Sequence, residues 1–352
     1  MEFIIFILPS QGGNCVKGFQ KYLLKKSAWY LVTLFIAVFL NFLLPRLIPG
    51  NPVMAIVANS IGTLMDASAV KRIYDTYMEM FGLDKPIWQQ FFIFVGNACQ
   101  GNLGISFYQY PRPVSDIIGS CIHWTLMLQI PAILTGWFVG NSLGALTAYR
   151  KGVFDKVFFP LFLYMSAIPA FGFAYVNVYF FANQWKLFPA NLGYAFDMIP
   201  NWRNPAFLLS VLNHYRLPFL TMVLVAIGGQ SLGMREMSIY ELNADYVKYS
   251  RLMGIKDRKI VWYVFRNAML PQINGLALSL GAMIGGNLIA EIVFSYPGLG
   301  TTMFSAIRNQ DFPLISGCTL VLTITVLAAN FIVDIICGLI DPRIRMTQQE
   351  EG

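Results

Sequence analysis

Residues 314–340 read LISGCTLVLTITVLAANFIVDIICGLI, with Asp334 as their single charged residue. A helix needs about 20 predominantly apolar residues to cross the hydrocarbon core of a bilayer. This stretch is long and apolar enough to do so, and it predicts a membrane-spanning helix.

Five more stretches of the same kind precede it, near residues 28–48, 124–148, 157–182, 208–232 and 274–294. The chain of 352 residues is 56% hydrophobic and only 12% charged, about half the charged fraction of an average soluble protein. Its many aromatic residues exclude an intrinsically disordered chain. The sequence therefore predicts an all-α polytopic membrane protein with six transmembrane helices.

The distribution of Lys and Arg predicts the orientation, because these residues are retained on the cytoplasmic side of a membrane. Most of the 25 lie before the first stretch, between the second and third, in residues 234–270 or after the last stretch. Both termini are therefore predicted to be cytoplasmic. The predicted segments are a cytoplasmic N-terminal extension (1–27), a first transmembrane helix (28–48), an extracytoplasmic cap segment (49–123), a five-helix core (124–340) and a cytoplasmic tail (341–352).

Prolines and glycines interrupt the apolar stretches. Membrane helices tolerate proline where neighbouring groups satisfy the freed backbone atoms, and we expect this of Pro131, Pro160, Pro169 and Pro218. Small residues four apart let two helices approach closely. Gly136, Gly140 and Gly144 follow this spacing, and we interpret them as packing within one subunit rather than as a dimer face.

Motifs that supply energy or chemistry are scarce in the chain. There is no G-x-x-x-x-G-K-[ST] phosphate-binding loop and no H-E-x-x-H zinc motif. Cys121 and His123 form a C-x-H pair without a second pair to complete a metal site. We predict a non-catalytic protein with no metal site and no cofactor of its own. An intramembrane enzyme is the weakest functional hypothesis.

Ionisable residues at membrane depth are costly and therefore suggest function. Glu291 and Asp334 are the two candidates. Asp334 is expected to face the cytoplasmic interface or a neighbouring helix. Glu291 is interpreted as a structural carboxylate that accepts backbone donors, in preference to a proton relay. An ion-coupled secondary transporter or channel acting alone is the alternative that rests on Glu291.

Residues 234–270, here called the 234–270 loop, are hydrophilic but carry helical patterns. An apolar stripe at helical spacing is formed by Leu242, Tyr246, Tyr249 and Met253. Gly254 predicts the end of this helix, and Asp257 is placed as the N-cap of a second one. Because the loop mixes basic and acidic residues, it suits a protein partner better than an anionic lipid surface.

Several motifs resemble one family. They are DYVKYSRLMG at 245–254, RNAMLP at 266–271, GLDKP at 82–86, GNLGISF at 101–107, RPV at 112–114, EIVFSYPGLG at 291–300, AI at 306–307, DFP at 311–313 and DPRIR at 341–345. Together they resemble the permease subunits of ABC importers, in the dipeptide/oligopeptide/nickel branch, over nearly the whole chain. Lys248-Tyr249-Ser250 stands where the general coupling motif reads Glu-Ala-Ala, so a role for the first of those positions does not carry over.

The resemblance implies a type I ABC importer permease fold in a prokaryotic inner membrane. It implies a second homologous permease, two ATP-binding subunits that hold ATP and magnesium, an extracytoplasmic solute-binding protein, and no nucleic acid. The ATPase-coupling residues it implies are Asp245, Tyr246, Val247, Lys248, Tyr249, Ser250, Arg251, Met253, Gly254 and Ile255. The candidate pathway or gate residues are Asn287, Glu291, Pro297, Gly298 and Gly300. The substrate stays open among peptides, oligosaccharides and metal complexes.

Overall fold

The structure is a computed structural model that describes residues 14–47, 84–150, 152–281 and 287–340, with several residues between 71 and 78. Its helices are α1 (Asn14–Arg46), α2 (Ile87–Cys99), α3 (Val114–Arg150), α4 (Gly152–Ala167), α5 (Ala170–Asn177), α6 (Pro205–Leu242), α7 (Asp245–Leu252), α8 (Asp257–Gly281), α9 (Asn287–Val293), α10 (Leu299–Arg308) and α11 (Phe312–Ile340). A π-helix, Val178–Gln184, continues α5. Across these residues the only β pairing is an isolated bridge between Ile105 and Pro113. The all-α prediction is confirmed.

Four described helices are long and apolar enough to cross a membrane. They are Tyr22–Leu43, Val114–Arg150, Pro205–Leu242 and Phe312–Ile336. The bent pair formed by α4 and the helical segment Ala170–Gln184 would be a fifth span. The chain is therefore a multi-pass membrane protein. The other predicted stretch, 274–294, includes residues outside the described ones, so the count of six spans and the orientation stay predictions.

The predicted span 157–182 is not one straight helix. The helix that ends at Ala167 and the one that begins at Ala170 are bent by 102°. Pro169, between them, is extended (φ −60°, ψ 132°) and is the N-cap of α5. Proline lacks an N–H group and disfavours a helical residue before it, so the first helix stops here. Pro131, Pro160 and Pro218 lie inside continuous helices, as predicted.

The described residues form two compact units. The first consists of the described parts of Met1–Tyr30, Leu126–Ser295 and Val326–Gly352, and the second of those of Leu31–Thr125 and Tyr296–Thr325.

In the first unit, the glycines of α3 pack directly on α6. A Cβ atom added to Gly136 would lie 2.5 Å from the Cβ of Ala226, and one added to Gly144 would overlap the backbone carbonyl of Ser231. The Ser231 hydroxyl also donates a hydrogen bond to the Gly140 carbonyl (3.0 Å). Packing of these glycines within one subunit is confirmed.

Two further contacts hold the first unit together. Arg235 of α6 donates two hydrogen bonds of 2.7 Å to the two carboxylate oxygens of Asp155 in α4. Asp334 of α11 accepts hydrogen bonds from Lys26 Nζ and Tyr30 Oη of α1, both at 2.9 Å. The expectation that Asp334 faces a neighbouring helix is confirmed.

In the second unit, the fully buried Asp311 joins a loop to the start of α11. Its carboxylate accepts hydrogen bonds from the Ser106 hydroxyl and from the backbone N–H groups of Phe107 (3.0 Å), Tyr108 (3.2 Å) and Leu314 (3.2 Å). Two of the motifs named above, at 101–107 and 311–313, therefore meet at one carboxylate.

Candidate functional site

The 234–270 loop contains α7, a tight turn and the start of α8. The turn follows from Gly254, whose φ of +71° favours glycine. The Gly254 N–H donates to the Arg251 carbonyl (3.0 Å) and the Ile255 N–H to the Ser250 carbonyl (3.1 Å). This pair of bonds is the Schellman motif that ends a helix. The predicted stop at Gly254 is confirmed, whereas Asp257 is the first residue of α8 rather than its N-cap.

A small apolar core fixes α7 on the beginning of α8. Val247, Ile260 and Val264 are buried in contact with one another. Leu242, Tyr246 and Ile255 pack around them. Ser250 is also buried, on the same side of α7 as Val247. The loop is therefore an ordered helical structure whose backbone direction is set by its own core.

Glu241, in the last turn of α6, bonds to both neighbouring helices. Its Oε2 atom accepts a hydrogen bond from Tyr246 Oη (2.7 Å) and another from Asn267 Nδ2 (3.5 Å). Burial, and then the bond to Glu241, raise the pKa of Tyr246 to about 12, so its hydroxyl stays protonated as a donor at neutral pH. Sequence reasoning counted Glu241 only as an acidic residue of the loop. The available signal was a tyrosine five residues after a glutamate, with the end of one helix and the start of the next between them.

The outer side of α7 is apolar and exposed. Tyr249, Leu252 and Met253, here called the apolar tip, are 65%, 82% and 70% exposed. The prediction that Leu242, Tyr246, Tyr249 and Met253 form one stripe on one helix is therefore wrong. The first two pack on the core and the last two point outward, because α6 ends at Leu242 and α7 begins separately.

Charged side chains surround the apolar tip. Lys248 and Asp245 form an exposed ion pair (3.0 Å) on α7, and Arg251 is exposed. An open groove beside the turn is lined by Gly254, Ile255, Lys256, Arg258, Lys259 and Trp262. The loop thus presents an apolar centre with a charged rim, which is the usual composition of a protein interface.

The pathway candidates of the first unit are Glu291 and Asn287. Glu291 is fully buried and accepts a hydrogen bond from Gln129 Nε2 of α3 (2.7 Å). Asn287 is the first residue of α9. Glu291 thus has a side-chain donor on another helix, a contact that the sequence did not predict.

The pathway candidates of the second unit are Pro297, Gly298 and Gly300. Gly298 is the extended N-cap of α10, and Gly300 lies buried in its first turn. The N–H of Leu299, between these glycines, donates a hydrogen bond to the Thr125 hydroxyl (2.7 Å). The Pro-Gly-x-Gly sequence is therefore a fixed helix start.

The described residues contain neither a group of side chains suited to a metal ion nor the strand-to-helix turn of a serine hydrolase. No group of three or more His, Cys, Asp or Glu side chains could hold a metal ion there. Residues 140–144 and 229–233 both read G-x-S-x-G, the pentapeptide of many serine hydrolases. That pentapeptide works at a turn between a strand and a helix, whereas both of these lie inside α3 and α6.

Residues 140–346 match the family described as "Binding-protein-dependent transport system inner membrane component". The chain belongs to this family. A relative from Brucella ovis, named as a peptide permease, is 33% identical over 88% of this chain and 93% of its own length. The dipeptide transport system permease protein DppB of Lactococcus lactis subsp. cremoris is 28% identical over 93% and 99%. The glutathione transport system permease protein GsiC of Escherichia coli is 28% identical over 92% and 98%.

Membership of this family of permease components agrees with the chain's apolar helices. The matched region includes the whole 234–270 loop, Glu291 and the Pro-Gly-x-Gly helix start. It begins inside α3, so the family description does not include α1 and α2. The relatives extend the likeness over nearly the full chain.

Proposed function

We propose that this chain is the permease subunit of an ATP-driven, binding-protein-dependent importer of peptides. The observation that carries the proposal is the apolar tip, which the chain's own core holds outward on a short helix between two long ones. Exposed apolar surface with a polar rim is typical of an interaction site, and the mixed charges around the tip favour a protein partner over an anionic lipid surface. The proposed partner is an ATP-binding subunit, and membership of a family of transport-system components supports this choice.

In this proposal the chain has six transmembrane helices and both termini in the cytoplasm of a prokaryotic cell. Residues 1–27 are the extension, 49–123 the extracytoplasmic cap, 124–340 the permease core and 341–352 the tail. The 234–270 loop then lies on the cytoplasmic side, where the excess of basic residues supports it.

The proposed assembly contains a second homologous permease, two ATP-binding subunits and an extracytoplasmic solute-binding protein. ATP and magnesium bind to the ATP-binding subunits, and this chain has no catalytic role. α7 is seated in a cleft of an ATP-binding subunit. Nucleotide shifts the equilibrium between inward and outward openings only through different contacts in the two states, so α7 must contact its partner differently in each.

Peptides are the proposed substrate class because the relatives are named for peptides, dipeptides and glutathione. Oligosaccharides and metal complexes are the other solutes that the resemblance allows. Glu291, Asn287, Pro297, Gly298 and Gly300 remain the proposed residues of the path or its gate.

Transport by purified components tests the proposal. The chain is reconstituted in liposomes with its second permease and ATP-binding subunits. The binding protein is added on the side opposite the cytoplasmic face, and uptake of a mixture of di- to hexapeptides is measured. We expect uptake to require ATP and the binding protein. Uptake by this chain alone, driven by an ion gradient, would instead establish the secondary transporter.

A further inference from the structure

Three helices of the 234–270 loop meet at one carboxylate. Glu241 belongs to α6, Tyr246 to α7 and Asn267 to α8, and both other side chains donate to Glu241 Oε2. The Glu241 side chain is half-buried. It is therefore placed to tie the three helices together from within the loop.

Side-chain bonds are important for the position of α7 because the helix is short and only two residues connect it to α6. It has eight residues, fewer than an isolated helix needs for stability in water. Only Asn243 and Ala244 separate it from α6. Val247 and Ser250 are buried on one side of α7, and this sets which side faces the core, but apolar contacts are non-directional and permit small rotations of the helix.

A directional bond at Tyr246 specifies that rotation. Side chains three and four residues apart share a helix face, so turning α7 about its axis would move Tyr249 and Leu252 away from their present direction. The 2.7 Å bond from Tyr246 Oη to Glu241 would have to break in such a turn and therefore opposes it. The bond from Asn267 connects the same carboxylate to α8, which continues towards the membrane.

We propose that Glu241 is a positioning residue that sets the rotation of α7 and makes α6, α7 and α8 move as one body. It acts through Tyr246 and Asn267 rather than by touching the ATP-binding subunit. This inference rests on the proposed function, in which the motion of α7 is what ATP hydrolysis drives. Loss of the bonds should leave the loop folded on its apolar core but reduce how much motion reaches the spans.

The test compares variants in the reconstituted complex described above. Glu241→Leu removes the acceptor, Glu241→Gln keeps a neutral acceptor, and Tyr246→Phe removes one donor. Asn243→Ala is the matched control, because the exposed Asn243 side chain donates to the Ile239 carbonyl of α6 and no bond joins it to α7 or α8 among the described residues. The readout is the number of peptides imported per ATP hydrolysed, with the amount and unfolding temperature of each complex measured alongside.

Hydrogen bonds to charged groups are strong enough for a fall of at least about tenfold in peptides per ATP with Glu241→Leu. We expect a smaller fall with Tyr246→Phe, which removes only one of the two bonds, and no further fall when it is added to Glu241→Leu, because the acceptor of that bond is already gone. Glu241→Gln, whose neutral oxygen still accepts both bonds, should fall less than Glu241→Leu, and Asn243→Ala should stay near the wild-type ratio.

Three results would overturn the inference. The first is a wild-type ratio with Glu241→Leu. The second is an equal fall with Glu241→Gln, which would show that charge and not the bonds matters. The third is a smaller amount of complex with a normal ratio, which would show a purely structural role. Absence of ATP-driven uptake by the wild-type complex would instead contradict the proposed function itself, and that control is read first.

Discussion

The interface of α3 with α6 and the apolar tip on α7 are neighbours in the chain but are built in opposite ways. At the first, glycines bring two backbones so close that a single added Cβ would overlap the other helix. At the second, three large apolar side chains are mostly exposed among the described residues. The difference separates packing that the chain completes itself from a surface for which we propose a partner. Added atoms should lower the stability of the α3–α6 interface. Loss of apolar atoms at the apolar tip should weaken only assembly with other subunits.

The largest loss of stability is expected from Gly144→Ala. The new Cβ would overlap the Ser231 backbone, which cannot move aside as a flexible side chain can. Overpacking of this kind costs about 1–3 kcal/mol. Unfolding of the purified chain in detergent measures the loss. Gly229→Ala is the control, because a Cβ there meets nothing within 4 Å, and an equal loss in both variants would contradict the packing described for α3.

Asp155→Ala should be next, because it leaves the two Arg235 donors without their carboxylate. Bonds to charged groups contribute about 2 kcal/mol, and the Arg235 side chain is only 18% exposed. The same unfolding measurement applies. Lys156→Ala, at the exposed neighbouring position, should unfold like the wild type, and equal behaviour of the two variants would show that the ion pair adds nothing.

Gly254→Val should disturb the turn beside the apolar tip and lower the stability of the chain less than the two substitutions above. A non-glycine residue in the left-handed conformation costs about 1–2 kcal/mol, and the Schellman turn would be lost with it. We expect the chain to remain inserted but transport to stop. Asn is tolerated in this conformation, so Gly254→Asn should keep partial transport. Normal substrate-stimulated ATP hydrolysis with Gly254→Val would contradict the role of the turn.

Lys248→Ala should have the smallest effect on stability. Both members of its ion pair with Asp245 are more than half exposed, and such pairs contribute at most about 1 kcal/mol. The unfolding temperature should therefore hardly change. A loss as large as that of Asp155→Ala would show that the surface of α7 depends on its charges and not on its core.

Much of the fold could be predicted because membrane spans and turns have strong local signals. Long apolar stretches identified the helices now seen as α1, α3, α6 and α11. Gly254 identified its turn because few other residues adopt a positive φ. Regular spacing of Gly136, Gly140 and Gly144 indicated close packing, although not that α6 would be the partner.

The rest depends on contacts that sequence periodicity does not contain. The periodic stripe gave apolar residues of the 234–270 loop one face, but it could not say which of them the chain itself would cover. Pro169 lies at a 102° bend whereas Pro131 lies inside a continuous helix, so a proline in an apolar stretch does not by itself predict whether the helix ends there. Glu241 and Asp311 were missed as anchors since their donors come from other segments. Asp311 had one available signal, an acidic residue directly before a helix start.

Retention of the ATP-binding subunits tests the central claim most directly. The chain carrying Leu252→Asp and Met253→Asp is purified with the assembly, beside a control carrying Phe196→Asp, whose side chain is 93% exposed on the opposite side in the six-span topology. We predict that the double variant keeps its own unfolding temperature but loses the ATP-binding subunits, while the control retains them. Full retention by the double variant would contradict the claim that the apolar tip binds the ATPase.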